Sequence, residues 1–344
     1  MFSGAVFDDR RMRIYENSHD AFDTVVHIVH ADWHGIRQAT AYCPGHKLLI
    51  PANEPIGIDQ KKEIARVLDN AGIKRIIFQG YSNNADELAV FLRATMDESV
   101  RLFAVTHVTP AQFDNYFEME MQARLFMRVR FGTFDRLGSV KPDFSAAFPD
   151  YWPKTLLNFA PAVSSGQFTK PAHPPEDGYC AYIPLDVGWR KNMYTNALGC
   201  LITKRLKRVD ITNFPNGLES ISELSKLRMV GYLRGDELLS HMAKSSVLVM
   251  GTLAECQPTT QVEALAVGTP VMTGPLGVSD FDGDPLSELT EMTALDNPRK
   301  ISDSVNRLLN VMQGDPKAIP EMIETHLKMR HEIGFDRYAE FVSL

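Results

Sequence analysis

Short β-branched apolar runs bounded by Gly, Pro or polar residues recur along the first half of the chain: Thr24 to Ala31 (TVVHIVHA), Lys47 to Pro51 (KLLIP), Lys74 to Gln79 (KRIIFQ) and Arg101 to Val108 (RLFAVTHV). Their nearly unbroken apolar character predicts strands buried on both faces. Between them, Asp59 to Asn70 and Asn84 to Met96 place apolar residues at helical spacing, with Asp59 and Asn84 as N-caps and Gly72 closing the first helix. Strands that alternate with helices predict a parallel sheet covered on both faces.

Both periodicities stop at Pro161 to Gly178, where four prolines and two glycines fall in eighteen residues, as in an interdomain linker. A second series follows, with strands expected at Tyr179 to Leu185, Val209 to Phe214, Arg228 to Tyr232, Ser246 to Met250 and Pro270 to Thr273. Helices are expected at Lys191 to Arg205, Glu219 to Ser225, Asp236 to Lys244, Thr259 to Val267, Arg299 to Met312 and Lys317 to Glu332. The expected class is α/β, with two Rossmann-like, doubly wound domains facing a cleft: residues 1–160, a linker over 161–178, a second domain over 179–316 and a terminal helical segment over 317–344. Ligands of such sheets bind at the carboxyl ends of the strands.

Composition narrows the class. A chain of 344 residues predicts about two domains at ~100–200 residues each. With 44% hydrophobic and 23% charged residues it is an ordinary globular sequence. No apolar run reaches membrane-span length, and the polar, acidic start is unlike a signal peptide, so a cytoplasmic protein is expected. Cys43, Cys180, Cys200 and Cys256 lie far apart without a C-x-x-C pair, which reads as free thiols. A net charge of −7, with neither half basic, argues against a surface that tracks polyanions throughout.

The most informative stretch is Ser246 to Gly274, SVLVMGTLAECQPTTQVEALAVGTPVMTG. A strand runs to Thr252, a polar loop carries Glu255, Pro258 introduces a helix, and Glu263 sits about one turn inside it. Backbone N–H groups of Gln257, Thr259 and Thr260 lie at the helix's positive end, suited to phosphate or sugar oxygens. Upstream, YIPLDVGWRKNMYTNALGCL places Arg190 and Lys191 where a strand turns into a helix, a cation pair suited to an anionic group.

The segment resembles the E-x7-E signature of retaining GT-B glycosyltransferases of the family-4 type. The likeness includes the preceding strand, the Pro after the first Glu, the EALAVG helix end and the TPV strand. Where family members carry a Gly and an aromatic before the Pro, this chain has Cys256 and Gln257. The resemblance implies a sugar moved from a nucleoside-diphosphate donor, such as a UDP-sugar, to an acceptor hydroxyl by front-face displacement. It implies that Glu255, Gln257, Pro258 and Thr259 hold the sugar, Glu263 the ribose, Arg190 and Lys191 the diphosphate, and Gly231 with Tyr232 the base. It further assigns His107, at a strand end, to the reacting sugar, Gly35 in HADWHGIRQ to a loop beneath the phosphates, and the terminal helix to a return to the first domain, which would bind acceptor. No cofactor beyond the donor and no metal is implied. The acceptor stays open: a polysaccharide or lipid-linked glycan is the general expectation and a modified base in DNA the rival, favoured only by the basic aromatic segment at 124–141; a GT-B-like protein that only binds nucleotide sugar, and a phosphorylase or sugar-nucleotide epimerase of similar fold, are the other readings.

Weaker signals have plainer explanations. His27 and His30 point to opposite faces of a strand, which disfavours a metal site with His34. Asp280, Asp282 and Asp284 imitate a calcium loop, but Pro285 occupies the position that needs a flexible Gly, and a solvated loop is expected. Arg124 to Lys141 interleaves five basic residues with Phe126, Phe131 and Phe134, a mixture found in nucleic-acid or glycan surfaces and equally in a helix end followed by a buried strand.

Overall fold

A computed structural model describes residues 6–7, 22–164, 166–168, 178–213, 217–218 and 222–343. The chain forms two compact units: one ends at Phe159 and resumes at His331, and the other runs from Ala160 to Arg330.

The first unit contains β1 (Val6–Phe7), β2 (Val25–His30), α1 (His34–Ala41), β3 (His46–Ile50), α2 (Ile58–Asn70), β4 (Arg75–Gln79), α3 (Asn83–Thr95), β5 (Arg101–Thr106), α4 (Tyr116–Arg130), β6 (Arg136–Ser139) and α5 (Phe144–Ala147). The sheet order is β1-β3-β2-β4-β5-β6, with β1 antiparallel to β3 and the remaining pairs parallel. Every residue of β2 is buried, as expected for a central strand covered by helices on both sides.

The second unit contains β7 (Tyr179–Ile183), α6 (Met193–Ile202), β8 (Leu206–Ile211), β9 (Leu227–Met229), α7 (Gly235–Ala243), β10 (Val247–Met250), α8 (Thr259–Ala266), β11 (Val271–Thr273), α9 (Pro285–Thr290), α10 (Pro298–Gly314) and the long α11 (Ala318–Phe341), whose last turns belong to the first unit. Its sheet is wholly parallel, in the order β11-β10-β7-β8-β9. Both sheets are Rossmann-like, and each has a point where successive connections leave in opposite directions: between β2 and β4 in the first, between β7 and β10 in the second. Loops that part there open a crevice at the strands' carboxyl ends.

Most of the strands and helices read from the sequence are recovered, with corrections that have local causes; the helix expected at Glu219 to Ser225 is, in its described part, a 3-10 turn, Ser222–Lys226. Ser82, not Asn84, caps α3, its Oγ accepting from Ala85 N at 3.2 Å. The Asn84 side chain instead holds the preceding loop, accepting from Ile56 N and donating to Pro51 O and Glu54 O. Likewise Gly57 rather than Asp59 precedes α2. The HADWHGIRQ segment is a helix from His34 onward rather than a loop, with Gly35 in its first turn. Asp284 is not solvated: it is 7% exposed and caps α9 by accepting from Ser287 N and Oγ at 2.9 and 2.7 Å. Much of the expected linker (165 and 169–177), the end of the expected strand at Phe214 and the start of the expected helix at Glu219 lie outside the described residues.

Candidate functional site

In the second unit the residues singled out between β7 and β10 meet at the switch point of the sheet. A single 3-10 turn, Trp189–Lys191, precedes Asn192, which adopts φ +55 and redirects the chain into α6. Asn is one of the few residues other than Gly that accepts that conformation cheaply. Its Nδ2 donates to Gly251 O (3.0 Å) and Leu295 O (2.7 Å), while Asn196 accepts from Gly251 N at 2.9 Å. The loop after β7 is thereby tied to the loop after β10. Gly251 lets the two loops approach: a Cβ there would lie 2.7 Å from Asn196 Oδ1 and 2.9 Å from Met292 Cε, so a side chain would have to displace them.

The tie brings adjacent Arg190 and Lys191 onto one carboxylate. Lys191 Nζ donates to Glu255 Oε2 at 2.5 Å, and Arg190 Nη1 reaches the same oxygen at 3.4 Å and Ala254 O at 3.3 Å. A backbone bond from Leu253 N to Arg190 O (2.8 Å) fixes the register. The three side chains keep 24%, 28% and 15% exposure for Lys191, Arg190 and Glu255, enough to meet a ligand. From Glu255 the chain enters α8 through Pro258, so the N–H groups of Thr259 and Thr260 open that helix without intrahelical acceptors, beside the two cations.

Glu263, one turn into α8, is only 4% exposed. Gln257 is equally buried, and its Oε1 accepts from Arg330 Nη2 at 2.6 Å. Arg330 is a residue the sequence did not mark. It lies on α11, 5.4 Å above the Phe281 ring, and burial pulls its pKa down to about 10. Nothing in its sequence neighbourhood separates it from the solvated basic residues of an amphipathic helix. Gly231, two residues beyond β9, takes φ +74, and the neighbouring Tyr232 stands 62% exposed, its phenol shifted upward by burial and by the charge of Asp186 in the β7 loop.

In the first unit His107 immediately follows β5, with Nε2 2.7 Å from Gln79 Oε1, and burial lowers its pKa to about 4. His27 and His30 bond Pro44 O and Ser82 Oγ respectively. The basic aromatic segment is largely engaged internally. Arg128 forks onto Asp86 (2.7 and 2.9 Å), Arg124 pairs with Glu120 and Asn83, and Arg136 donates to Glu340 O and Phe341 O. Phe134 is buried and Phe126 stacks on Phe148, while Phe131 remains exposed.

Two Rossmann-like parallel sheets in this succession define the GT-B fold, the fold of a large class of glycosyltransferases. The Anabaena protein Alr3699/HepE in complex with UDP and glucose matches with TM-score 0.60 at 10% identity, over 93% of this chain and 100% of that one. Sucrose-phosphate synthase from Thermosynechococcus elongatus matches with TM-score 0.59 at 12% identity, over 93% and 100%. A putative UDP-N-acetylglucosamine 2-epimerase from Listeria monocytogenes matches with TM-score 0.52 at 10% identity, over 87% and 90%. No family model matches the sequence, and no curated protein matches it. Among the described residues no helix is long and apolar enough to cross a membrane.

Proposed function

We propose that the protein is a retaining glycosyltransferase that moves a sugar from a nucleoside diphosphate to an acceptor hydroxyl. The observation that carries this reading is the convergence of Arg190 and Lys191 on Glu255 beside the amides that open α8. A diphosphate entering there takes the two cations and the Thr259 and Thr260 N–H groups. Glu255, Gln257 and Pro258 then border the sugar, Glu263 the ribose, and Gly231 with Tyr232 the base. Charge building on the departing phosphate is met by fixed cations and helix dipoles, so the chemistry needs neither a metal nor a cofactor beyond the donor. The UDP and glucose of the Anabaena complex support a UDP-hexose as donor. The acceptor is a polysaccharide or a lipid-linked glycan.

The test is a thermal-shift panel of UDP, GDP, ADP, CMP and dTDP with their sugars on wild type and Glu263→Ala, followed by donor-hydrolysis assays. A donor at a hundredfold excess over its Kd stabilises by about 2.7 kcal/mol. One nucleotide family should stabilise the wild type and lose its effect in the variant, and the same donor should be slowly hydrolysed. Stabilisation without hydrolysis identifies a binding protein, an isomerised sugar identifies an epimerase, and no stabilisation by any nucleotide refutes the reading.

A further inference from the structure

A chain of buried hydrogen bonds in the first unit fixes where the proton on His107 resides. It starts at Pro44, whose carbonyl oxygen lies 2.8 Å from His27 Nε2. A carbonyl only accepts, so Nε2 of His27 carries a hydrogen. The turn that holds this carbonyl is rigid: Gly45 sits at φ +99 against Val25, and the buried Lys47 Nζ donates to Cys43 O and Gly45 O at 2.5 Å each. His27 is fully enclosed, and burial together with the Lys47 charge keeps it neutral. With its hydrogen on Nε2, its Nδ1 is an acceptor and requires a donor.

Two groups can donate to it: Gln79 Nε2 at 3.1 Å and the Tyr338 hydroxyl at 3.2 Å, and Gln79 Nε2 is also 3.2 Å from Tyr338 Oη. Even with the hydroxyl shared, an amide oxygen 3.1 Å from the Nδ1 lone pair would be repelled, so the nitrogen side of the amide faces His27. Reversing the amide would oppose two acceptors, or force the proton off the Pro44 side of His27. The oxygen side must then face His107, where Oε1 is 2.7 Å from Nε2, and an amide oxygen can only accept.

We infer that Gln79 is a positioning residue which, oriented by His27 and Tyr338, holds His107 as the Nε2–H tautomer with Nδ1 as an acceptor. In this tautomer the ring can accept a hydrogen bond at Nδ1 and cannot donate one there.

The experiment is long-range 1H–15N NMR of histidine-labelled full-length protein between about pH 6 and 8, where an exposed imidazole would titrate. Wild type should show protonated Nε2 and unprotonated Nδ1 for both His107 and His27 throughout. Gln79→Leu, similar in size, should leave His107 as a mixture of tautomers. Gln79→Glu, whose carboxylate still accepts, should retain the proton on Nε2. An Nδ1–H tautomer at His107 in the wild type, or an unchanged His107 spectrum in Gln79→Leu, overturns the inference, and the wild-type spectrum decides even where a variant fails to fold. The same wild-type sample titrated with nucleotide sugars separates the two ideas, because a missing donor response counts against the glycosyltransferase reading while the tautomer is read independently.

Discussion

The stability of the first unit should depend on His30 in a way that pH exposes. His30 ends β2, is 1% exposed, bonds Ser82 Oγ at 2.7 Å and lies 4.0 Å from the Trp33 ring. Burial pulls its pKa from 6.5 to about 4, the charge of Asp32 opposing weakly. The native ring is thus neutral at pH 5, while in the unfolded chain it is mostly protonated. Between these two pKa values the unfolded state binds more protons, so stability is complete above the unfolded value and is lost as pH falls towards 4. For one such histidine the loss between pH 7 and pH 5 is about 2 kcal/mol. His30→Gln places an amide where Nε2 stood and removes the titration. Urea unfolding of both proteins at pH 7, 6 and 5, followed by tryptophan fluorescence, isolates the term as the pH-dependent part of their difference. The wild type's advantage should shrink by about 2 kcal/mol from pH 7 to pH 5. A difference that stays constant over this range refutes the argument, since it would mean that native His30 takes up protons as readily as the unfolded chain.

Two further outcomes are expected. Gly138→Ala in β6 forces a Cβ to within 2.8 Å of Leu156 Cδ1 and 3.0 Å of Phe341 Cε2, and should cost about 1–3 kcal/mol by thermal denaturation; an unchanged Tm would show that the terminal helix yields without strain. Asp210, fully buried, accepts from Arg228 Nε and Nη2 at 2.8 Å each, and its carboxyl, raised by burial but pulled down further by hydrogen bonds from His241 and Arg228, lies below the usual range. Its contribution is present at neutral pH and lost as pH falls through that depressed value. Because Arg208 and Arg228 remain about half exposed and can be hydrated, Asp210→Ala should cost less than about 3 kcal/mol, short of the loss from stranding a buried charge; a larger loss in urea unfolding would contradict this.

The strands were legible because β2, β4, β5, β7 and β10 are apolar on both faces, a pattern only a covered parallel sheet requires. Helix starts were less legible. Asp59 and Asn84 have cap chemistry, yet Ser82 lay nearer the turn and the Asn84 amide was drawn to three backbone groups of another loop. The loop at Asp284 was misjudged because its partners, Ser287 and His326 (2.9 Å), lie partly on a distant helix. Arg190, Lys191 and Glu255 were found by spacing and resemblance, but their meeting depends on Asn192 at positive φ and on Gly251, neither of which carries a distinctive motif. Gln79 and Arg330 were invisible for the same reason: a buried polar side chain is defined by partners remote in sequence.

The long helix α11 changes the order in which this protein can be completed. Up to Arg330 it belongs to the second unit, where Arg330 reaches Gln257; from His331 it belongs to the first, where Tyr338 closes on Gln79 and Phe341 is fully buried. During synthesis the first unit emerges earliest but waits for its last helical turns until the entire second unit has left the ribosome. A nascent chain therefore carries a first sheet whose strands are all present but which lacks the 331–344 segment and the Tyr338 contact to Gln79, while the second unit already has all of its own residues. A premature stop or a proteolytic nick between 331 and 344 would be felt in the part of the protein that was made first.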